Sequence, residues 1–158
     1  MMTENHEIFV FDKQTVFFKH TDYHGYLHGY NYLEWMSYAR ESFFQELVPD
    51  FLDLCSRNIK MVTARVEFES LSDAVFGDKI VVKIFSEKIK RSSFDVVFSF
   101  FRKSDNNVLG NGRMTLAFLD AETGRLTCIP EGLKRAVVRF ERKNTSRRIE
   151  IDSGSEAC

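Results

Sequence analysis

TDYHGYLHGYNYLEW, residues 21–35, joins two segments of different hydrophobic period. Upstream, Ile8–Lys19 (IFVFDKQTVFFK) is rich in β-branched and aromatic residues and predicts a strand. Downstream, stepping about 100° per residue through Asn31–Val48 gathers Tyr32, Leu33, Met36, Ala39, Phe43 and Leu47 on one arc. Glu34, Ser37, Glu41 and Gln45 fall opposite. The pattern predicts an amphipathic helix of about four to five turns, ending near Pro49 because the residue before a proline avoids the α conformation. A connector between strand and helix needs a turn residue and a cap. This one carries Asp22, His24, His28, Gly25, Gly29 and four tyrosines, a surplus that marks it as the candidate functional site.

Beyond the helix the period returns to two. In Met61–Glu69, Val62, Ala64, Val66 and Phe68 alternate with Thr63, Arg65, Glu67 and Glu69, which predicts a strand with one dry face. Lys79–Lys88, Ser93–Lys103 and Val108–Asp120 predict three more strands, separated by the turn-prone pieces Phe76-Gly77-Asp78, Lys90-Arg91-Ser92 and Ser104–Asn107. The last two are short enough for antiparallel hairpins. Asp120–Arg125 reads as another turn, and Pro130 suits the first position of a short closing helix. The sum is an α+β domain: one long helix on a five-stranded antiparallel sheet. Its outer strands and leftover apolar surface call for a second copy.

Composition narrows the class. The 158 residues make about one domain, and a net charge of -1 offers no field for nucleic acid. The 16 phenylalanines exceed what a small core needs and favour an oligomer interface or an apolar pocket. Cys55, Cys128 and Cys158 are odd in number with no paired spacing, so they form no disulfide framework and suit a reducing cytoplasm. No apolar run approaches the about 20 residues of a membrane span, and MMTENHEIF lacks a signal-peptide core. Residues 1–7 read as frayed. Residues 1–140 read as the domain and 141–158 as a charged, flexible tail.

The junction allows several chemistries. His20, His24 and His28 are spaced four and four, which on a helix would align three imidazoles near Asp22 as a metal site. Gly25 and Gly29 interrupt any such helix, so polar residues at a pocket mouth are the preferred reading and no metal is expected. Asp22 suits a turn or helix cap, and it also suits, as the preferred reading, a catalytic carboxylate beside a helix amino terminus. There, the unpaired N–H groups around Gly29 and Tyr30 would receive a developing oxyanion. Arg40 falls on the apolar arc and must find a carboxylate or carbonyls; its reading is structural.

Asp22, Gly25, the Asn31-Tyr32 pair and Ala39-Arg40 together resemble the 4-hydroxybenzoyl-CoA thioesterase group of the hotdog fold, closest to the short acyl-CoA thioesterases associated with the Tol–Pal system. The resemblance runs from Val16 to about Phe44 and resumes more loosely at Gly77-Asp78 and TLAFLDAETGRLTCIPEGLK. It implies a long helix wrapped by a curved sheet, assembled as dimers or tetramers with the site between subunits. It also implies Asp22 attacking a thioester carbonyl or activating water, with the Gly29 N–H polarising that carbonyl. His24, Tyr26, His28, Tyr30 and Asn31 would then line the substrate. Lys90 and Arg91, with Lys88, would meet the phosphates of coenzyme A or of a carrier-protein pantetheine, which belongs to the substrate and is no cofactor. An acyl carrier protein is accordingly a candidate partner.

Three departures bear on specificity. Tyr23 and His24 stand where the family is often small, and His28 where an aromatic is usual. The proline common before the Gly-Asp turn is missing between Ser72 and Phe76. Enediyne-pathway hotdog enzymes share the Asn-Tyr and Arg region but lack the aspartate, so Asp22 sets the chain apart from them. Two other classes remain open: a hotdog dehydratase pairing His24 or His28 with Glu34, and a non-catalytic acyl-binding module.

Overall fold

The computed structural model describes residues 7–142, without the side chains of residues 55 and 56. The helix foreseen downstream of the junction is α1, Tyr30–Leu47, which buries Asn31, Tyr32, Trp35, Met36, Ala39, Phe43 and Phe44. The buried arc is rotated relative to the sequence expectation: Trp35 and Phe44 are inside, while Leu33 is 43% exposed. Gly112 explains how closely the helix lies on the sheet. A Cβ there would come within 2.6 Å of the Met36 sulfur, so the missing side chain makes room for Met36.

The strands are β1 (Phe9–Thr15), β2 (Ile59–Ser70), β3 (Lys79–Glu87), β4 (Ser93–Arg102) and β5 (Val108–Asp120). They form one antiparallel sheet in the order β1-β3-β4-β5-β2, with β1 and β2 at the edges. One long helix on a curved five-stranded antiparallel sheet is the hotdog arrangement. Two short helices, α2 (Phe51–Ser56) and α3 (Glu131–Val138), complete it. Pro130 stands just before α3, at its N-cap. The six residues of α2 are too few to show a helical period in the sequence.

Two strand readings need correction. The first strand ends at Thr15, well before Lys19, because Val16 leaves it to pair with the Gly77-Asp78 turn. One turn of 3-10 helix, Phe18–His20, follows. In β2 the alternation breaks at Ala64, where the register with β5 shifts between Thr63 and Arg65. This bulge moves the helix-facing set from Met61 and Thr63, which oppose the buried Phe118 and Leu116, to Val66 and Phe68, which oppose Met114 and Gly112. Val62 and Ala64 therefore do not share a dry face with Val66 and Phe68. Val66 itself stays 43% exposed.

The core is heavily aromatic. Phe43, Phe44, Phe94, Phe98, Phe100 and Phe118 are all fully buried, so core packing consumes much of the phenylalanine excess. Tyr32 stacks on Phe68 at 4.2 Å between centroids and meets Phe100 edge-on at 4.9 Å. Glu141 and Arg142 return to the end of β3, where the Arg142 N–H donates to the Ser86 carbonyl at 2.8 Å. Most of the expected tail, and residues 1–6, lie outside the described residues. Cys128 is disulfide-bonded, which removes the cysteine argument for a reducing compartment. Among the described residues, no helix is long and apolar enough to cross a membrane.

Candidate active site

The junction folds as a tight hairpin. The His28 N–H donates to the His20 carbonyl at 2.9 Å, Thr21 bridges Leu27, and the Asp22 N–H donates to the Tyr26 carbonyl at 2.8 Å. Its loop, Asp22-Tyr23-His24-Gly25, closes with a 3.0 Å bond from the Gly25 N–H to the Asp22 carbonyl. Gly25 takes φ +84°, a left-handed value that a side chain would oppose. The hairpin leans on the segment before β3 through bonds from Leu27 N–H to the Ala74 carbonyl (2.9 Å) and from Phe76 N–H to the Gly25 carbonyl (3.0 Å). That segment is braced in turn by Asp78, whose Oδ2 accepts from the Val75 N–H and from Arg102 Nε, both at 3.0 Å. Arg102 also donates to the Asp73 carbonyl at 2.7 Å. Sequence reading missed Arg102, because its partners sit in turns that carry no period.

Asp22 has the turn role that its position allowed, and something left over. Its Oδ1 accepts from the His24 N–H at 2.8 Å and the Tyr26 N–H at 3.1 Å. Its Oδ2 has no partner among the described residues. Partial burial pushes its carboxyl upward, but the Tyr26 and His24 N–H groups outweigh that, helped by the nearby imidazoles of His24 and His28. The net pKa lies below the ordinary value. The group is thus ionised at neutral pH, with one oxygen anchored and the other open.

Gly29 stands at the amino end of α1 with ordinary helical angles (φ -58°, ψ -30°), so its value is space rather than backbone freedom. A Cβ there would meet nothing within 4 Å. Neither the Gly29 nor the Tyr30 N–H makes a hydrogen bond among the described residues. A helix start with unspent donors and no side chain in the way can receive an anionic or strongly polarised oxygen. Tyr26, His24, His28 and Tyr30 are exposed around it, with His28 stacked on Tyr30 at 5.3 Å. Phe17, Phe18, Tyr23 and Phe76 add an exposed aromatic rim.

Other expected residues lie elsewhere. Asn31 is 3% exposed, behind the junction, and its amide donates to the carbonyls of His20 and His28. His20 is buried edge-on against Trp35 at 5.4 Å, and its Nδ1 accepts the Phe17 N–H at 3.0 Å. It is a core histidine, not a residue at the pocket mouth, and the three imidazoles do not converge. No metal-holding cluster occurs among the described residues. Lys90 shares a groove of about 400 Å³ with Arg65 and Lys88, whereas Arg91 turns to the Cys128 sulfur at 3.5 Å. Both sit beyond the carboxyl end of β3, while the junction packs beside its start. Arg40 is half-buried at the rim of an apolar groove with Phe44, Phe51 and Met61. It finds the Thr63 hydroxyl at 3.1 Å in place of the expected carboxylate or carbonyls, and its Nε has no partner among the described residues. Glu34 is exposed and accepts from the Tyr38 hydroxyl at 2.7 Å.

Residues 6–137 match the family model described as the thioesterase-like superfamily. No curated protein matches the chain. Among solved structures, the chain is similar to a dynemicin thioesterase whose crystal structures report polyene binding, with TM-score 0.80 and 21% identity over 87% of this chain and 100% of that one. A Staphylococcus aureus protein solved with CoA gives 0.77 and 16% over 92% and 96%. A 1,4-dihydroxy-2-naphthoyl-CoA thioesterase from Synechocystis gives 0.74 and 12% over 84% and 96%. At these identities the likeness is one of fold.

Proposed function

Because this chain belongs to the thioesterase-like superfamily, we propose that it hydrolyses an acyl-CoA or acyl-carrier-protein thioester, with Asp22 as nucleophile or general base and the Gly29 N–H as oxyanion donor. One observation carries the reading: a single hairpin holds an ionised carboxylate with a free oxygen and a helix start with two unspent N–H groups. The Asp22 oxygen, or a water it deprotonates, adds to the thioester carbon. Negative charge moves to the carbonyl oxygen, where the Gly29 N–H meets it, and collapse expels the thiolate. If Asp22 attacks directly, water then cleaves the acyl-aspartyl anhydride. His24, Tyr26, His28 and Tyr30 flank the acyl and pantetheine path. An acyl-CoA substrate is in keeping with work in the cytoplasm.

A phosphate-binding role for Lys88 and Lys90 would require an assembly of two or four chains. The nine residues of β3, at about 3.3 Å each, put Lys88 and Lys90 about 30 Å from the junction of their own chain. A pantetheine arm is shorter than this, so one substrate meets both only if a second chain supplies one of them. Light scattering at micromolar concentration should give a dimer or tetramer; a monodisperse monomer would remove the shared site.

Purified protein with a panel of acyl-CoA and acyl-carrier thioesters and a thiol-detecting reagent tests the activity. Thiol release is the expected result. Loss of water from a hydroxyacyl thioester would favour the dehydratase, a reading weakened by the engagement of Glu34 with Tyr38. Saturable binding without turnover would leave only an acyl-binding module.

A further inference from the structure

Two hydrogen bonds behind the junction hold a peptide whose other end faces the site. Asn31 Nδ2 donates to the His20 and His28 carbonyl oxygens, each at 3.0 Å, and its backbone N–H donates to the same His28 oxygen at 3.1 Å. The His28 carbonyl and the Gly29 N–H are the two ends of one peptide unit. A trans peptide is planar and its C=O and N–H point in opposite directions, and no described peptide is cis. Drawing the carbonyl towards Asn31 therefore turns the Gly29 N–H away from Asn31, and no group among the described residues accepts its proton.

The polarity of these bonds distinguishes them from a helix cap. A capping asparagine accepts with its side-chain oxygen from the first free N–H groups of its helix. Asn31 instead donates, and to carbonyls that lie upstream of α1. Its amide satisfies nothing in the helix and leaves the N–H groups of Gly29 and Tyr30 unspent. The His20 carbonyl is fixed as well, since it also receives the His28 N–H at 2.9 Å. The end of the first hairpin leg is thus locked to the peptide that precedes Gly29.

We propose that Asn31 is a positioning residue for catalysis: its side-chain amide aims the Gly29 N–H at the thioester carbonyl oxygen. This rests on the oxyanion role given to Gly29 above. Asn31 touches no substrate, and its contribution is the direction of another residue's N–H. An oxyanion donor acts only where its proton meets the charge that develops in the transition state, so a misdirected donor lowers kcat more than it raises KM.

Asn31→Asp tests it, because the carboxylate matches the amide in shape but donates nothing and faces two carbonyl oxygens. Asn31→Ser, which loses reach without adding charge, is the second variant should the first fail to fold. We expect kcat to fall about tenfold or more with KM held within about twofold. For Asn31→Asp, part of kcat should return as the pH is lowered and the new carboxyl regains a proton to donate. In ¹⁵N spectra of the free protein, the Gly29 amide should shift and its exchange rate change in both variants. A folded variant that keeps wild-type kcat, or loses only KM, overturns the positioning role and leaves the hydrolase reading standing. A wild-type protein that cleaves no thioester removes the hydrolase reading, and the positioning role with it.

Discussion

Two polar clusters in this molecule use their hydrogen-bonding capacity in opposite ways. On the sheet face away from α1, Glu87 and Asp95 are 3% and 6% exposed. Arg113 bridges them at 2.6 and 2.7 Å, Arg142 Nε donates to Glu87 Oε1 at 2.8 Å, and the Thr115 hydroxyl donates to Asp95 Oδ1 at 2.8 Å. All four carboxylate oxygens have a donor, as buried charges require. At the junction, Asp22 keeps one oxygen open, and the Gly29 and Tyr30 N–H groups have no acceptor among the described residues. The first cluster completes itself and ties β3, β4, β5 and the Arg142 segment together. The second leaves an oxygen and two N–H groups unpaired among the described residues. Unspent capacity, rather than the density of polar residues, marks the candidate site.

Substitutions can break that distinction. The largest effect should come from Asp22→Asn. The amide oxygen can still accept from the His24 and Tyr26 N–H groups, so the turn survives, but the negative oxygen is gone. Turnover should fall by about 10² or more with melting nearly unchanged. Wild-type turnover of a good substrate by Asp22→Asn would place the active site elsewhere. The reverse is expected of Glu87→Gln on the outer face. Removing the charge leaves Arg113 and Arg142 short of a partner, which should cost about 2 kcal/mol of stability in denaturant titration while kcat stays level. A matched loss of activity would show that the two clusters are coupled.

Acid should separate the clusters' surroundings by pH. Burial pushes the His20 pKa down and Lys19 adds to this, against Glu34 and a hydrogen bond to the Thr15 backbone, which push it up. With its folded value below the usual 6.5, His20 contributes stability that is present above that pH and lost as pH falls through the folded value. Melting temperature should therefore start to decline below pH 6.5. The acid limb of kcat, set by Asp22, should lie lower, beneath the ordinary carboxylate range. Coincident declines would contradict the assignment. The smallest effect is expected for Tyr32→Phe. The Tyr32 hydroxyl is buried with no partner among the described residues, and its pKa is pushed up to about 12 chiefly by burial. Removing it should raise stability by up to about 1 kcal/mol at neutral pH. It should also remove the stability loss that sets in as pH rises from 10 towards about 12. A clear drop in melting temperature at neutral pH would mean the hydroxyl has a partner in solution.

Much of this was legible from local pattern. The period change across residues 21–35, the three strands of Lys79–Asp120 and the Gly-Asp and Asp-Ala-Glu-Thr-Gly turns each follow from one stretch of backbone geometry, and each is found close to where it was expected. The placement of Asp22 in the junction turn and of Gly29 at the start of α1 was legible too, because a carboxylate and a glycine ahead of a helix are recognisable by position alone. The bulge at Ala64 was not: a strand's period breaks there only because β5 offers one residue against two. Nor was the direction of Asn31, whose type suits substrate binding as well as burial.

Residue order was enough for the α+β class, the single long helix and the strand–helix junction, since these depend on side chains within a few positions of one another. Long-range packing chose which histidine went into the core, which arginine braced the Asp78 turn and which carbonyls Asn31 would hold. Those partners are brought together by the sheet order and by the burial of α1 against it. A hydrogen bond's direction depends on where both ends lie, and the chain settles that only when it has folded.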